Sequence, residues 1–379
     1  MAFPLSEPLT GRILVVGGIY VDLLNEVPAF PEEDSSQRAV AYRRSRGGNA
    51  ANSSVVLADL LTAAQVGCCV SWVGAVPRAD EPDTAFALAD LKSCGVETSL
   101  MEEVGGEAGQ PSAFIIKSMD TGSRTIISHR RGLRELDAGH FARSLRRTPC
   151  QAADLGNVCW VHFECRMMPD VLHMAEAVHA WASETQTRPM VSLEVEKPGM
   201  QPEQLVPLLL LCDLAYFSRE FVERHREELK RAGVDGSRGG DADEHLALRC
   251  LRGLRAWVGD ACKALWICPW GSLGAFALDC ATGQAHFQAA RKLDKVVDSV
   301  GAGDTFVAAC IFALLRGADA ATALLCGCSV AGQKVAQEGL SCLSVAVPPR
   351  LAQGGASFEC GAAQAMYVPS DEHPSSHAG

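Results

Sequence analysis

Short apolar runs alternate with helix-length segments along most of this chain, and no other feature narrows its possible folds as much. Ile13-Leu14-Val15-Val16-Gly17 is β-branched and ends in glycine, and further strands are predicted over 70–76, 160–163, 190–195, 214–217 and 264–268. Between them the apolar spacing predicts helices over 49–64, over 83–94 with Asp83 as cap, and over 169–183 with Pro169 in the first turn. Strands separated by helices cannot be closed by two-residue turns. They need crossovers, which build a parallel sheet covered on both faces, so the expected class is α/β. Two segments depart from the pattern. Residues 35–45 alternate without the apolar richness of a core strand, and Ser112 to Lys117 and Arg124 to Ser128 flank the turn Asp120-Thr121-Gly122-Ser123. These are expected to form a small lid, with strands roughly within 35–46 and 112–130.

In open α/β sheets ligands gather beyond the carboxyl ends of the strands. The sharpest candidate there is Val297-Asp298-Ser299-Val300-Gly301-Ala302-Gly303-Asp304-Thr305-Phe306, read as a strand end, a glycine turn and a helix continuing to Leu315. Gly301 and Gly303 let a phosphate approach the backbone, and the unpaired N–H groups and dipole of a helix start favour an anion. A carboxylate at Asp304 beside such a hole costs repulsion. That cost is tolerated most readily where the carboxylate must take a proton from a nearby hydroxyl. The residues alone equally allow a plain capping turn with Asp304 as N-cap.

Asp22 lies just past the predicted 13–17 strand. Asn49 and Asn52 follow Arg46-Gly47-Gly48 and share a face at a helix start, where amides suit sugar hydroxyls. The alternative is Asn49 as N-cap with Asn52 exposed. Pro269-Trp270-Gly271-Ser272-Leu273-Gly274-Ala275 follows another strand, and its glycines suit either a nucleotide laid on the backbone or an ordinary hairpin turn. Arg124 reads as an edge charge.

Length and charge bound the function. With 379 residues, 48% of them hydrophobic, the chain can bury a large core. Its net charge of −11, from 34 basic and 45 acidic residues without a basic run, argues against a nucleic-acid binder. The 16 cysteines are scattered through apolar segments without zinc spacing, as expected of thiols in a reducing compartment. No basic-then-apolar leader opens the sequence, and the longest apolar run, 205–217, contains Pro207 and Asp213 and is too short to span a bilayer. A cytoplasmic protein without membrane contact is expected.

Taken together, these segments resemble the ribokinase-like carbohydrate kinases, the PfkB family. The resemblance covers about 13–339. It is carried by Val296 to Phe306, Arg46 to Asn52, Ser192-Leu193-Glu194-Val195-Glu196-Lys197-Pro198, Phe30-Pro31-Glu32-Glu33-Asp34-Ser35 and Ser123-Arg124-Thr125-Ile126-Ile127. Gly-Ala-Gly-Asp before a helix is specific to the family, and the combination is similar to its fructose-phosphorylating branch.

The resemblance implies a Rossmann-like sheet with helices on both faces, plus a β-sheet lid that pairs with a second subunit's lid in a homodimer. ATP with Mg²⁺ would phosphorylate the 1-hydroxyl of D-fructose, with K⁺ as a further cation left open. Asp304 would be the base. Asp22, Gly48, Asn49 and Asn52 would hold the sugar, and Asp34 would reach the neighbouring subunit's sugar. Gly301, Ala302 and Gly303 would form the anion hole, Arg124 would reach the phosphates, and Gly271, Ser272, Leu273 and Gly274 would line the nucleotide. The 214–217 strand is followed by Ser218-Arg219-Glu220-Phe221 instead of the Asn-x-x-Glu that organises Mg²⁺ in many members, so no metal ligand is assigned. The expected organisation is an extension over 1–12, a kinase domain over 13–345 and an unordered tail over 346–379. Another sugar or nucleoside kinase, or a silent sugar-sensing relative, are the competing readings.

Overall fold

The computed structural model describes residues 11–147, 157–232 and 245–352. All of β1 (Gly11–Val16) is buried, because each face of the strand meets a layer of helices. Ile13 and Val15 point into one layer, and Leu14 and Val16 into the other. The chain then forms β2 (Tyr20–Val27) and β3 (Ala41–Gly47) before α1 (Asn49–Ala63), β4 (Cys68–Val73), β5 (Ala75–Val76), α2 (Pro82–Ser93) and β6 (Glu102–Glu103). A hairpin of β7 (Ser112–Ser118) and β8 (Arg124–His129) leads to α3 (Ala138–Arg146), β9 (Val158–Glu164), α4 (Met168–Thr185), β10 (Met190–Val195), α5 (Pro202–Leu211) and β11 (Leu214–Phe217). There follow α6 (Arg219–Arg224), α7 (Arg226–Ala232), α8 (Leu246–Val258), β12 (Leu265–Pro269), β13 (Gly274–Asp279), β14 (Ala285–Ala289), α9 (Ala302–Leu315), α10 (Ala320–Val335) and α11 (Pro349–Ala352).

The main sheet has eight strands in the order β14-β13-β12-β11-β10-β9-β1-β4. Only β13 runs against the rest, so the expected mostly parallel α/β sheet is what forms. Helix α9 is buried on every side from Asp304 to Leu315 because it lies between the sheet, α1 and α10. Gly327 of α10 permits that approach: a Cβ there would sit 2.6 Å from Cys310 Sγ. Each large apolar side chain so buried contributes about 1.5–3 kcal/mol before conformational entropy is counted.

A second sheet, ordered β3-β2-β7-β8, makes the lid. It is larger than the sequence suggests, because β2 belongs to it, and Asp22 therefore lies within a lid strand instead of just beyond a core strand. The first lid strand of the pair expected near 35–46 begins only at Ala41. Near the lid's root, Arg166 donates to Tyr20 Oη at 2.7 Å and to Glu164 at 2.6 Å, and its Nε reaches Glu135 at 3.0 Å.

Other boundaries also move. Glu81, not Asp83, caps α2: its Oε2 accepts from Thr84 N at 2.8 Å, with Pro82 in the first turn. The 70–76 run breaks at Gly74, where a Cβ would strike Trp72 and the Gly17 carbonyl. Gly11 and Arg12 belong to β1 and not to an extension, and residues 1–10 lie outside the described residues. The tail expected without order from 346 starts with α11, whose Leu351 is buried, while 353–379 and the polar stretch 233–243 lie outside the described residues. Among the described residues no helix is long and apolar enough to cross a membrane, and the cysteines are free thiols.

Candidate active site

The parallel strands deliver their carboxyl ends to one edge of the main sheet, and the chain leaving β14 runs over 290–300 without forming the strand end expected at Val297 before it turns into α9. Gly301 is the N-cap, at φ 78°, a left-handed conformation that glycine adopts without strain. Among the described residues the N–H groups of Gly301, Gly303 and Asp304 have no protein acceptor. Ala302 is different from its expected role: its N–H turns back to Ser299 O at 3.3 Å, so the open donors are the two glycines and Asp304. An anion placed there meets several unpaired amides and the positive end of the helix.

Asp304 sits in the first turn of α9, not at its cap, and is 7% exposed. Its Oδ2 accepts from Asn52 Nδ2 at 2.7 Å, Asn52 Oδ1 accepts from Arg46 Nη1 at 2.6 Å, and Arg46 Nε pairs with Asp90 at 2.6 Å. Asn52 is thus buried and orients the acid. The exposed-Asn52 reading is wrong, and one amide hydrogen is left for a ligand. Burial raises the Asp304 pKa to about 7; the Asn52 hydrogen bond opposes this, and Glu196 and Glu164 add to it.

Gly48, not Asn49, caps α1, at φ 98°, and a Cβ on it would lie 2.5 Å from Gly18 O. Asn49 opens the helix with its side-chain amide toward the carboxyls of Glu194 and Glu196. Asp22 is buried with its carboxyl in the space a Cβ on Gly47 would fill, and burial raises its pKa to about 6 against the pull of Arg46 and Arg43. The lid and body therefore bring Asp22, Gly48, Asn49, Asn52 and the Gly301 turn to one edge.

Arg124 is exposed on β8, an edge strand of the lid, and donates to Ser299 Oγ, two residues before Gly301, which sets it beside the turn that starts α9. Gly271 to Leu273 form a single 3₁₀ turn closing β12 onto β13, with Gly271 at φ 58° and Gly274 at φ 132°. The loop is a hairpin turn at the same edge, with Ser272 exposed and Leu273 half-buried. Asp34 is exposed on the loop between β2 and β3, at φ 57°, and this chain does not bring it to the other groups by any hydrogen bond or ion pair among the described residues.

Sequence reasoning gave no site role to Glu194, Glu196 or the pair formed by Asp298 and Lys334. Glu194 is buried with an unpartnered Oε2, and burial followed by the Asp304 charge pushes its pKa well up. Glu196 is exposed at the edge of the site, where desolvation by its surroundings and then the Glu164 charge raise its pKa. Two carboxyls at alternate positions, one in β10 and one just past its end, were a legible signal. Lys334 is 1% exposed, and its Nζ reaches Asp298 Oδ2 at 2.8 Å and Asp298 O at 3.0 Å. Burial pushes the Asp298 pKa up, but the Lys334 ammonium, the Val300 N–H and the Arg43 charge together outweigh it and hold the carboxyl below its usual range.

Among the described residues no three His, Cys, Asp or Glu side chains gather as a metal cage. A Mg²⁺ ion arriving with nucleotide needs none, since it keeps waters and takes one or two carboxylates beside phosphate oxygens. The unpartnered Glu194 oxygen and the charge-strained Glu196 fit that requirement.

The chain as a whole resembles known proteins. The profile described as pfkB family carbohydrate kinase matches residues 10–345. Ketohexokinase of Mus musculus is 31% identical over 334 residues, spanning 86% of this chain and 97% of the mouse protein. Among solved structures, ribokinase from Giardia lamblia superposes with a TM-score of 0.67 at 16% identity, covering 90% of this chain and 98% of that one. Arabidopsis thaliana ribokinase, solved with ribose and ATP, gives 0.65 at 19% identity, covering 91% and 97%.

Proposed function

The chain belongs to the PfkB family of carbohydrate kinases and is a phosphotransferase, and from that premise we propose that it moves the γ-phosphoryl group of ATP to the 1-hydroxyl of D-fructose. The observation that carries the reading is the Asp304 carboxyl, buried and oriented by Asn52, beside the open amides that start α9. Support for the ketose comes from the likeness to the mouse ketohexokinase.

In this reading the sugar lies between Asp22 on the lid and Gly48, Asn49 and the remaining Asn52 hydrogen on the body, and Asp304 accepts the proton of the attacking hydroxyl. A base near pKa 7 suits that exchange, being substantially ionised at neutral pH and still able to hold the proton it takes. The amides of Gly301, Gly303 and Asp304 stabilise charge on the transferring group, with Arg124 facing them from the lid. The turn from Gly271 to Gly274 supports the nucleotide. Mg²⁺, when bound, would offset the charge on the phosphates, with Glu194 and Glu196 as the carboxyls that would hold it. Free thiols among the described residues suit a reducing cytoplasm.

The lid suits pairing with a second copy. Tyr42, Phe114 and Ile127 share one of its faces and are 62%, 48% and 58% exposed, and Asp34 stands on the adjoining loop. Sedimentation of the intact chain at micromolar concentration should report a dimer, and a Phe114→Glu variant a monomer.

Coupled ADP release tests the reaction, using fructose, ribose, tagatose and adenosine as acceptors in KCl and in NaCl. Fructose is expected to give the highest kcat/KM, with phosphate on carbon 1 by NMR. Faster turnover of another acceptor would replace the substrate, and no sugar-dependent ADP release would remove the kinase reading.

A further inference from the structure

Four cations crowd the residues just ahead of α9, and three of them come from different lid strands. β3 sends Arg43, 3.6 Å from Asp298 Oδ2; β8 sends Arg124 to Ser299 Oγ; β7 sends Lys117, whose Nζ donates to Val297 O at 3.2 Å. The fourth, Lys334, comes from α10. Lys117 and Arg124 are register partners across the hairpin, so their side chains leave the same face side by side.

The four are not equally available to a ligand. Lys334 is enclosed with Asp298, and Arg43 faces two carboxylates, Asp298 and Glu338. Arg124 meets a hydroxyl. Lys117 pairs with Glu26 Oε1 at 2.8 Å, and both side chains are 25% exposed. A lysine ammonium has three donors on a flexible four-carbon stem, so a swing from the Val297 carbonyl to a nearby phosphate oxygen keeps the Glu26 contact and needs no backbone movement.

We propose that Lys117 is a second phosphate-contacting residue of the lid, gripping the terminal phosphates of the nucleotide beside Arg124. This rests on the kinase reading above. A polyphosphate carries more charge than one guanidinium and a few amides balance, and a compact ammonium adds a point charge where the lid already touches the anion turn. In the absence of nucleotide the same ammonium rests on Val297 O, which holds the lid over the turn.

Calorimetric titration of the intact chain with Mg²⁺-ATP, Mg²⁺-ADP and AMP tests this. Lys117→Met should weaken ATP and ADP by about 10- to 100-fold, the scale of one charge-assisted contact, while AMP stays within about two-fold. Lys117→Arg should retain most of the affinity. Glu26→Gln, which frees the ammonium from its carboxylate, should tighten ATP by a few-fold, roughly the worth of an exposed pair. A purely structural staple would weaken all three nucleotides alike in both Lys117→Met and Glu26→Gln, and that result overturns the assignment. Normal ATP binding by Lys117→Met would overturn the role of Lys117 alone, whereas a wild-type chain that bound no adenine nucleotide would overturn the kinase reading with it.

Discussion

The floor of the candidate site and the lid above the turn that starts α9 carry opposite chemistry. On the floor, desolvation and neighbouring carboxylates, Glu164 among them, drive Glu194, Glu196 and Asp304 toward their protonated forms. The lid instead presents Arg43, Lys117 and Arg124 to the segment ahead of α9. Asp298 lies at the border, six positions before Asp304, and is buried like it, yet its proton affinity moves the other way. The difference lies in the partner. An amide orients a carboxyl without fixing its charge, so Asp304 can change protonation state, whereas the Lys334 ammonium locks Asp298 ionised.

The contrast breaks most severely at Asp304. Asp304→Asn should lower turnover by about 10²- to 10⁴-fold with the fold intact, measured by ADP release and circular dichroism. Near-normal rates would mean that the floor supplies no base. Next comes the border pair: Lys334→Met strands a buried carboxylate and should cost about 3 kcal/mol in urea unfolding, the low end for such a loss because Arg43 still faces Asp298. Adding Asp298→Asn should recover most of that stability. If the double variant is no better, the pair does not act as a unit.

Smaller effects should follow pH. Asp304 must be ionised to accept a proton, so kcat/KM should rise with pH and level off above about 7. Its folded pKa lies above the unfolded value of 3.8, so the stability it contributes is present below 3.8 and lost as pH rises to about 7. Asp304→Asn should therefore raise the melting temperature at pH 8 relative to wild type, with the gain fading toward pH 4. An equal shift at both values would show that the acid is not strained by burial.

The alternation of strands and helices made the main sheet legible, because a parallel sheet demands long crossovers. Gly301 and Asp304 were legible for a related reason: a glycine turn, an acid and a helix start are local in sequence. β2 was hidden because Tyr20-Val21-Asp22-Leu23-Leu24-Asn25-Glu26-Val27 serves a small sheet partly covered by α2, so its apolar residues do not alternate cleanly. Spacing placed Asn49 and Asn52 on one helix face, but it could not show that Arg46 and Asp304 occupy most of the Asn52 amide. Lys117 and Val297 are 180 residues apart, and only the fold brings a lid strand to that carbonyl.

The chain passes between the body and the lid four times: after β1, before α1, before β7 and after β8. Arg166 ties the first of these passages to the last through Tyr20 and Glu135. A plate held at so many points would tilt as one piece, and because β3 runs straight into α1 such a tilt would carry the amides at the head of that helix with it. Occupancy at either end of the cleft is then felt at the other, and by thermodynamic reciprocity the two substrates should enhance each other's affinity by the same factor.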